Sequence, residues 1–513
     1  MEISDDNPRA IKPRSPHTAM LLGAIAFLVA GAFAERNLAT WPGRLLYPGT
    51  EGYEGTPMSE LVNLRTGVAI FALPSVQGFD SAFYGPLYYL LGSRLINPAK
   101  PSYFPLRILS VMGTLGCAAC CGVLALWLSR SYFAALLSPL VFLSYAMVTR
   151  FGTAGLSDAL ALLLFLSGFL VAYRFRYSRA VLLGTPLMVL GFFYKPQYIA
   201  GPTAVVSYLL IDKRHRLAAE FVALLALFGL GLLTFFQEVV FPGQAFWRHF
   251  LVYSGATLSA HRIVPSFFVF SILLLLPLLF AIPYLRTHQD KLISCYLLSA
   301  VSLGVFTFCR TGSNFQYFLE SIVVLSILFP VMLAGEINQR ANPLDLVLVL
   351  GLMLLVGQGF GTRPPAPGDF SKNSAVQSFL RGNFPAHASA LGTSSGDLVQ
   401  AGLEVSFTDL YQFAELSRRG LLSDRSLAAQ IHARRFSTIV LDFNLAEEKD
   451  PAQLNFYLTE PLREAISHDY DLRTTLEVPD PEKSRLEPRF YVYVPRAARY
   501  HNLESLATPV RAP

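Results

Sequence analysis

The sequence predicts a mainly α-helical protein, a polytopic transmembrane bundle of about eleven spans carrying a small soluble α/β domain at its C-terminal end. Three observations point there. Of the 513 residues, 53% are hydrophobic and only 15% charged, against roughly a quarter charged in a soluble globular chain. The deficit is confined to residues 18–360, where long apolar runs follow one another, while 361–513 has an ordinary soluble composition. Basic residues gather in alternate short loops between the runs, the asymmetry that the positive-inside rule imposes on membrane proteins.

The runs lie at 18–34, 104–128, 132–148, 156–173, 180–194, 197–211, 217–239, 265–285, 292–308, 315–335 and 343–360, most of them near the roughly 20 residues that a crossing helix needs. The first follows a leader, 1–17, containing Arg9, Lys12 and Arg14. Glu35-Arg36-Asn37 is a poor cleavage context and many spans follow, so this run reads as a retained helix rather than a signal peptide. With the N-terminus in the cytoplasm, the inner loops hold Arg130, Arg174, Arg176, Arg179, Lys213, Arg214, Arg216, Arg286, Lys291 and Arg340, and the short outer loops only Arg150, Lys195, Arg248, Arg262 and Arg310. Tyr194-Lys195-Pro196-Gln197 divides the short pair 180–194 and 197–211. A single crossing there would invert every later loop, so the charge pattern favours two. Eleven spans leave the C-terminal segment outside.

Two outer segments are long. The first, 35–103, mixes aromatics with Gly and Pro. Pro57 to Gly67 has helical amphipathicity, and so does Tyr84 to Leu95, expected along the interface with its tyrosines at headgroup depth. The second, 240–264, carries Trp247, Arg248, His249, His261 and Arg262, its histidines read as incidental residues of a wet loop. After the Gly- and Pro-rich linker Gly361 to Gly368, the soluble domain 361–513 shows helical spacing at Ser426 to Arg434. Strand patterns follow at Phe436 to Asp442 and Arg489 to Val494.

The net charge of +6 is not a nucleic-acid signature, because the basic residues form no single face or stripe. Cys117, Cys120 and Cys121 lack the second ligand pair of a zinc motif and read as small apolar fillers. Cys295 and Cys309 also fall in or beside spans, and the tail has no cysteine, so disulfides do not hold it. No triad, metal cluster or phosphate loop is evident in the tail.

Ionisable and amide groups in or beside membrane helices are costly and need a reason. Here they cluster on the outer side: Glu51, Glu54 and Asp80 in the first loop; Arg150 and Asp158 around the fourth span; Lys195 and Gln197; then Arg310, Asn314, Gln316 and Glu320. The inner side has plain basic loops. An outward-facing polar site follows.

The order of motifs is itself informative. The first loop reads Tyr47-Pro-Gly-Thr-Glu51-Gly-Tyr-Glu54, Leu61-Val-Asn-Leu-Arg-Thr-Gly67, Tyr84-Gly-Pro-Leu-Tyr-Tyr89 and Leu106-Arg-Ile-Leu-Ser110. Gly155-Leu-Ser-Asp158-Ala-Leu-Ala and Gly312-Ser-Asn-Phe-Gln-Tyr-Phe-Leu-Glu320 come later. This succession resembles the GT-C superfamily of polyprenyl-phosphate-sugar-dependent glycosyltransferases, in particular the bacterial branch related to protein mannosyltransferases and the aminoarabinose transferase. Thr408-Asp-Leu-Tyr411, Gly420, Leu427 and Phe436 to Leu441 resemble the extracytoplasmic domain that some of these relatives carry.

The resemblance implies sugar transfer from a polyprenyl-phosphate donor to a hydroxyl of a lipid, glycan or protein acceptor, usually with inversion, at the outer face of a bacterial inner membrane. It implies a first-loop carboxylate as general base. Relatives often have paired acids there, whereas this chain has two glutamates three residues apart. Glu54, thirteen residues before Gly67, has the better spacing, with Glu51 in support. Asp80, Tyr84, Arg150, Asp158, Lys195, Gln197, Arg310, Asn314, Tyr317 and Glu320 are the substrate-binding candidates, the cations for the departing phosphate. Some relatives set a divalent cation on that phosphate and others do not; the sequence has no dedicated metal site.

Simpler roles stand beside these. Glu54 is otherwise a solvated loop carboxylate, Asp158 an N-terminal cap, and Lys195 and Arg310 snorkelling cations. Asn314, Gln316 and Glu320 are otherwise interhelical glue, a buried Glu320 being expected to need a partner such as Arg310. Rival functions for the whole chain are a transporter or flippase of lipid-linked saccharides, disfavoured by the lack of inverted repeats, and a non-catalytic envelope-assembly protein.

Overall fold

The helix Phe104–Ser129 organises the bundle. Its 26 residues extend about 39 Å at 1.5 Å per residue, more than the hydrocarbon thickness. Leu106, Arg107, Ser110, Gly113, Thr114, Cys117, Cys121 and Leu124 recur at three- and four-residue intervals and form its buried side. Gly113 lies against the backbone of Ala159, so two helices approach as closely as small residues permit. The computed structural model describes residues 16–50, 52–74, 78–253, 258–288, 290–338, 343–446, 456–478 and 489–496.

All eleven predicted runs are largely helical. Among the described residues, six helices are long and apolar enough to cross a membrane, seven with the pair Tyr132–Leu143 and Ala146–Gly152, which bends by 69°. Arg179–Tyr194, Ala200–Ile211 and Leu344–Gln358 are shorter apolar helices. Position in the bundle follows burial. The span Phe315–Gly335 is 94% buried in its apolar window and is central, whereas His215–Val240 is 17% buried and peripheral. Caps set helix starts where the chain turns: Ser131 accepts from the Ala134 amide, and Asp290 from the Ile293 amide.

The two long segments between helices and the tail lie at one end of the bundle. The Ala245 amide donates to the Phe71 carbonyl at 2.8 Å, and Phe71 packs edge-on against Phe241, Phe246 and His249. His249 is buried, with Nε2 2.9 Å from the Ala72 carbonyl. The expectation of a wet-loop histidine is therefore corrected for His249, which aromatic packing buries, while His261 is exposed. Cys117, Cys120, Cys121 and Cys295 are free and buried.

The tail is an α/β domain with a five-stranded sheet of order β2-β1-β3-β5-β4: β1 Ser389–Gly392, β2 Glu404–Val405, β3 Thr438–Leu441, β4 Tyr470–Glu477 and β5 Arg489–Pro495. β2, β1 and β3 pair in parallel, and β5 and β4 are antiparallel. Every β3 residue is buried, because the sheet has a core on each face. Ile439 and Leu441 meet helices Leu410–Arg418, Arg425–His432 and Glu460–Asp469 on one side, while Val440 meets Pro367–Asn383 and Ser395–Gln400 on the other.

This domain docks directly on the first long segment. The Phe79 amide donates to the Ser406 carbonyl and the Thr408 amide to the Phe79 carbonyl, at 2.8 and 3.0 Å. Ser59 reaches Ser395, and Gln400 donates to the Pro48 carbonyl. Gly396 lies against Gly55. Loop and tail therefore share one side of the bundle.

Candidate active site at one end of the bundle

The first-loop helix Gly55–Arg65 starts immediately after Glu54. Glu54 accepts from Arg107 Nε at 2.9 Å, pairs with Arg107 Nη2, and accepts from the Gly155 amide. Both side chains are fully buried. Arg107 also donates to the carbonyls of Arg44, Tyr47 and Gly49 and lies over the Tyr103 ring. Glu54 is thus not a solvated carboxylate. Its oxygens are engaged in clamping the first loop and the turn before Asp158 onto Phe104–Ser129. Glu51 lies outside the described residues.

Tyr88 reinforces the clamp, donating its hydroxyl to the Gly155 carbonyl at 2.7 Å. Tyr84, Tyr88 and Tyr89 are 5%, 2% and 0% exposed, so they face the protein interior and not the lipid interface along which they were expected. They are buried because each finds a polar partner or a cation inside. The Tyr84 ring faces Lys195 Nζ at 5.1 Å, and Tyr89 donates to Glu60. Gly85 makes this approach sterically feasible: a Cβ there would fall 2.0 Å from the Phe193 carbonyl oxygen.

The polar layer is centred on Asp158, the first residue of the helix Asp158–Arg174. Lys195 donates to both its oxygens at 2.7 and 2.8 Å, and Tyr198 donates to Oδ1 at 2.6 Å. Both Asp158 and Lys195 are buried, and such a pair is stable only when well hydrogen-bonded. Asp158 does not bond the free amides of its helix through a capping side chain; the lysine takes its place. Tyr317 lies within the fields of Arg310, Asp158 and Arg262 and bonds Ser313. Gln197 carries both side-chain polar atoms buried without a hydrogen-bond partner among the described residues. Buried polar atoms are normally satisfied by protein or ordered water, so this amide has hydrogen-bonding capacity left over within the layer.

Three further candidates are structural in part. Asn314 caps the turn Phe315–Phe318, accepting from the Phe315 amide at 2.7 Å. Arg150 lies over the Phe151 ring. Glu320 does not pair with Arg310 as expected. Oε2 accepts from the Ala200 amide at 3.3 Å, while Oε1 is buried without a hydrogen-bond partner among the described residues. The free amides at the start of Ala200–Ile211 supply the positive field that an arginine was expected to provide.

Asp80 is not in this layer. It accepts from Asn63 at 2.9 Å and belongs to an acidic cluster under the tail that sequence reasoning missed. There Glu60, fully buried, accepts from Ser81, the Ala82 amide, Tyr89 and Thr408. Burial raises Glu60 to about 7 and Asp409, at the same interface, to about 6. Burial, with Glu60 beside it, also raises Asp80. The only sequence signal was Glu60 on the core side of an amphipathic helix. The tail also contains a group not evident from spacing: Nδ1 of His432 and of His468 lie 2.7 and 3.0 Å from Asp469 Oδ2. These contacts hold the Asp469 carboxyl down at about 2, and Arg434 also reaches it.

The chain is thus a helical bundle with a buried acid–base layer at the end where the C-terminal domain docks. It is similar to two structures of ArnT from Cupriavidus metallidurans, one in the apo state and one bound to undecaprenyl phosphate. Each has a TM-score of 0.54 over 93% of this chain and 98% of that one, with 11% and 12% identity. A looser likeness, TM-score 0.44 and 11% identity over 88% of this chain and 73% of the other, links it to the oligosaccharyltransferase AglB from Archaeoglobus fulgidus. No protein-family model and no curated protein sequence matches the chain.

Proposed function

We propose that the chain is a membrane-embedded glycosyltransferase that moves a sugar from a polyprenyl-phosphate donor to an acceptor hydroxyl, at the extracytoplasmic face of a bacterial inner membrane. Eleven spans with the N-terminus in the cytoplasm bring residues 35–103 and the domain 361–513 to that face. The observation that carries the reading is the buried Asp158–Lys195 pair, with Tyr198, Tyr84 and the unsatisfied Gln197 around it. The fold is shared with a structure bound to undecaprenyl phosphate.

The pair suits an exchange of partners. A donor phosphate entering the layer takes Lys195, with Arg310 beside Tyr317 as a second cation. Asp158 loses its counter-charge and becomes a base within reach of an acceptor hydroxyl. The acceptor oxygen attacks C1 of the sugar as the C1–O bond to phosphate breaks. Asp158 takes the hydroxyl proton, and the bond's electrons leave on polyprenyl phosphate, whose charge Lys195 and Arg310 stabilise. Attack opposite the leaving group inverts C1. Glu54 acts through the clamp on the Gly155 turn, positioning Asp158, and Gln197 supplies a donor and acceptor for a sugar hydroxyl. A divalent cation on the donor phosphate would add to the neutralisation that lysine and arginine supply.

The test is transfer of label from radiolabelled undecaprenyl-phosphate pentoses and hexoses by purified protein in nanodiscs. Wild type is expected to transfer one label and Asp158→Asn none, the variant remaining folded at a lowered melting temperature. Full transfer by Asp158→Asn would remove the base assignment.

A further inference from the structure

The polar layer occupies one end of the long helix Phe104–Ser129, near Arg107; the other end carries a second site. Arg107 and Ser129 are separated by about 33 Å at the α-helical rise, so this site lies at the opposite membrane face. A cavity of about 510 Å³ is lined there by Trp127, Arg130, Tyr132, Tyr173, Arg174 and Arg176.

Arginines near a membrane face alone would follow from the positive-inside rule. Here they surround a cavity with an aromatic wall. Trp127 and Tyr173 stack at 6.4 Å with their planes 7° apart, and the Arg176 guanidinium covers Tyr173 at 4.1 Å. Charge in the cavity is one-sided. Asp290 borders it: it accepts from the Tyr173 hydroxyl at 2.8 Å, caps its own helix through Ile293, and lies 3.9 Å from Arg176. Arg130 and Arg174 have no acidic partner among the described residues. From the neighbouring element, Arg214 donates to the Arg176 carbonyl and adds positive charge. Of the three arginines lining the cavity, only Arg176 lies beside a carboxylate among the described residues, and that carboxylate, Asp290, is already engaged by the Tyr173 hydroxyl.

Arginine matches the oxygens of a phosphodiester, and a stacked Trp–Tyr wall at a membrane boundary suits the glycerol and upper acyl segments beside it. We propose that this pocket binds the headgroup of an anionic phospholipid of the leaflet opposite the polar layer. Lipid held there clamps Phe104–Ser129 to Asp158–Arg174, the two helices that carry Arg107 and Asp158 at their other ends.

The experiment is native mass spectrometry of the purified full-length protein, titrated with phosphatidylglycerol, with phosphatidylcholine, and with inorganic phosphate as competitor. Phosphatidylglycerol is expected to be retained about tenfold better than phosphatidylcholine. The Arg130→Gln/Arg174→Gln variant is expected to lose that preference while keeping the wild-type melting temperature, both side chains being exposed. Equal retention of the two lipids by wild type, or an undiminished preference in the variant, overturns the proposal. So does inorganic phosphate binding to the pocket in place of lipid, which would assign it to a soluble anion. The readout is lipid retention and not sugar transfer, so this inference and the glycosyltransferase reading fail separately.

Discussion

Replacing Glu54 by Gln separates a positioning carboxylate from a catalytic one. Glu54 and Arg107 are both 0% exposed, and removing one partner of a buried ion pair costs about 3–5 kcal/mol. The lower end applies here, because Arg107 keeps the carbonyls of Arg44, Tyr47 and Gly49 and a glutamine oxygen can still accept from the Gly155 amide. A loss of about 3 kcal/mol corresponds to a fall of roughly 3 °C in the melting temperature of a chain this long. Arg107→Met should fall further, since it strands the carboxylate, and the double variant should recover part of the loss. The Gly155 turn leads to Asp158, so transfer should drop as the base moves out of register. A displacement near 1 Å costs on the order of a hundredfold, which leaves measurable activity. The assay is differential scanning fluorimetry at a fixed scan rate beside label transfer in nanodiscs. A Glu54→Gln protein that melts like wild type yet transfers nothing would refute the clamp and make Glu54 the base.

Three further outcomes follow from the same geometry. Burial lifts Glu60 from an ordinary carboxyl value to about 7. The folded state therefore holds a proton that the unfolded state releases near 4.5, and stability falls as pH rises from there through about 7; melting temperature should decline across that window and decline less in Glu60→Gln. Gly85→Ala puts a Cβ 2.0 Å from the Phe193 carbonyl, an overpacking that should separate Tyr84 from Lys195 and cost transfer at least about tenfold, by the same misplacement argument, measured with the label assay. Gln197→Leu removes an unsatisfied buried amide, so the melting temperature should hold or rise while the Michaelis constant for donor rises severalfold.

The membrane bundle was legible because a crossing helix must be apolar along its length, and each run from Thr18 to Phe360 contains one. Strand β3 was legible because Thr438, Ile439, Val440 and Leu441 are β-branched or apolar and buried on both faces. β4 was not: of Tyr470 to Glu477 only the first residue is fully buried, as befits an edge strand, and so its sequence carries no core pattern. At the site, Asp158 and Lys195 were picked out individually because polar groups at membrane depth are expensive, and Tyr84 and Tyr317 because they stand in motifs that carry the resemblance. Their partners were not readable, since pairing depends on which helices touch. Glu54 looked like a loop residue for want of any local sign that Arg107, 53 residues away, reaches it. Glu60 and the His432–His468–Asp469 group were hidden for the same reason.

The partner exchange at Asp158 and Lys195 is tested most directly by measuring binding of radiolabelled undecaprenyl phosphate to purified wild type, Asp158→Asn and Lys195→Met, alongside transfer. Asp158→Asn should bind the lipid at least as tightly as wild type, its lysine being released, and transfer nothing. Lys195→Met should lose affinity by about tenfold or more, the worth of one charge-assisted contact. Unchanged affinity in Lys195→Met, or weakened binding in Asp158→Asn alone, would mean that the phosphate sits elsewhere.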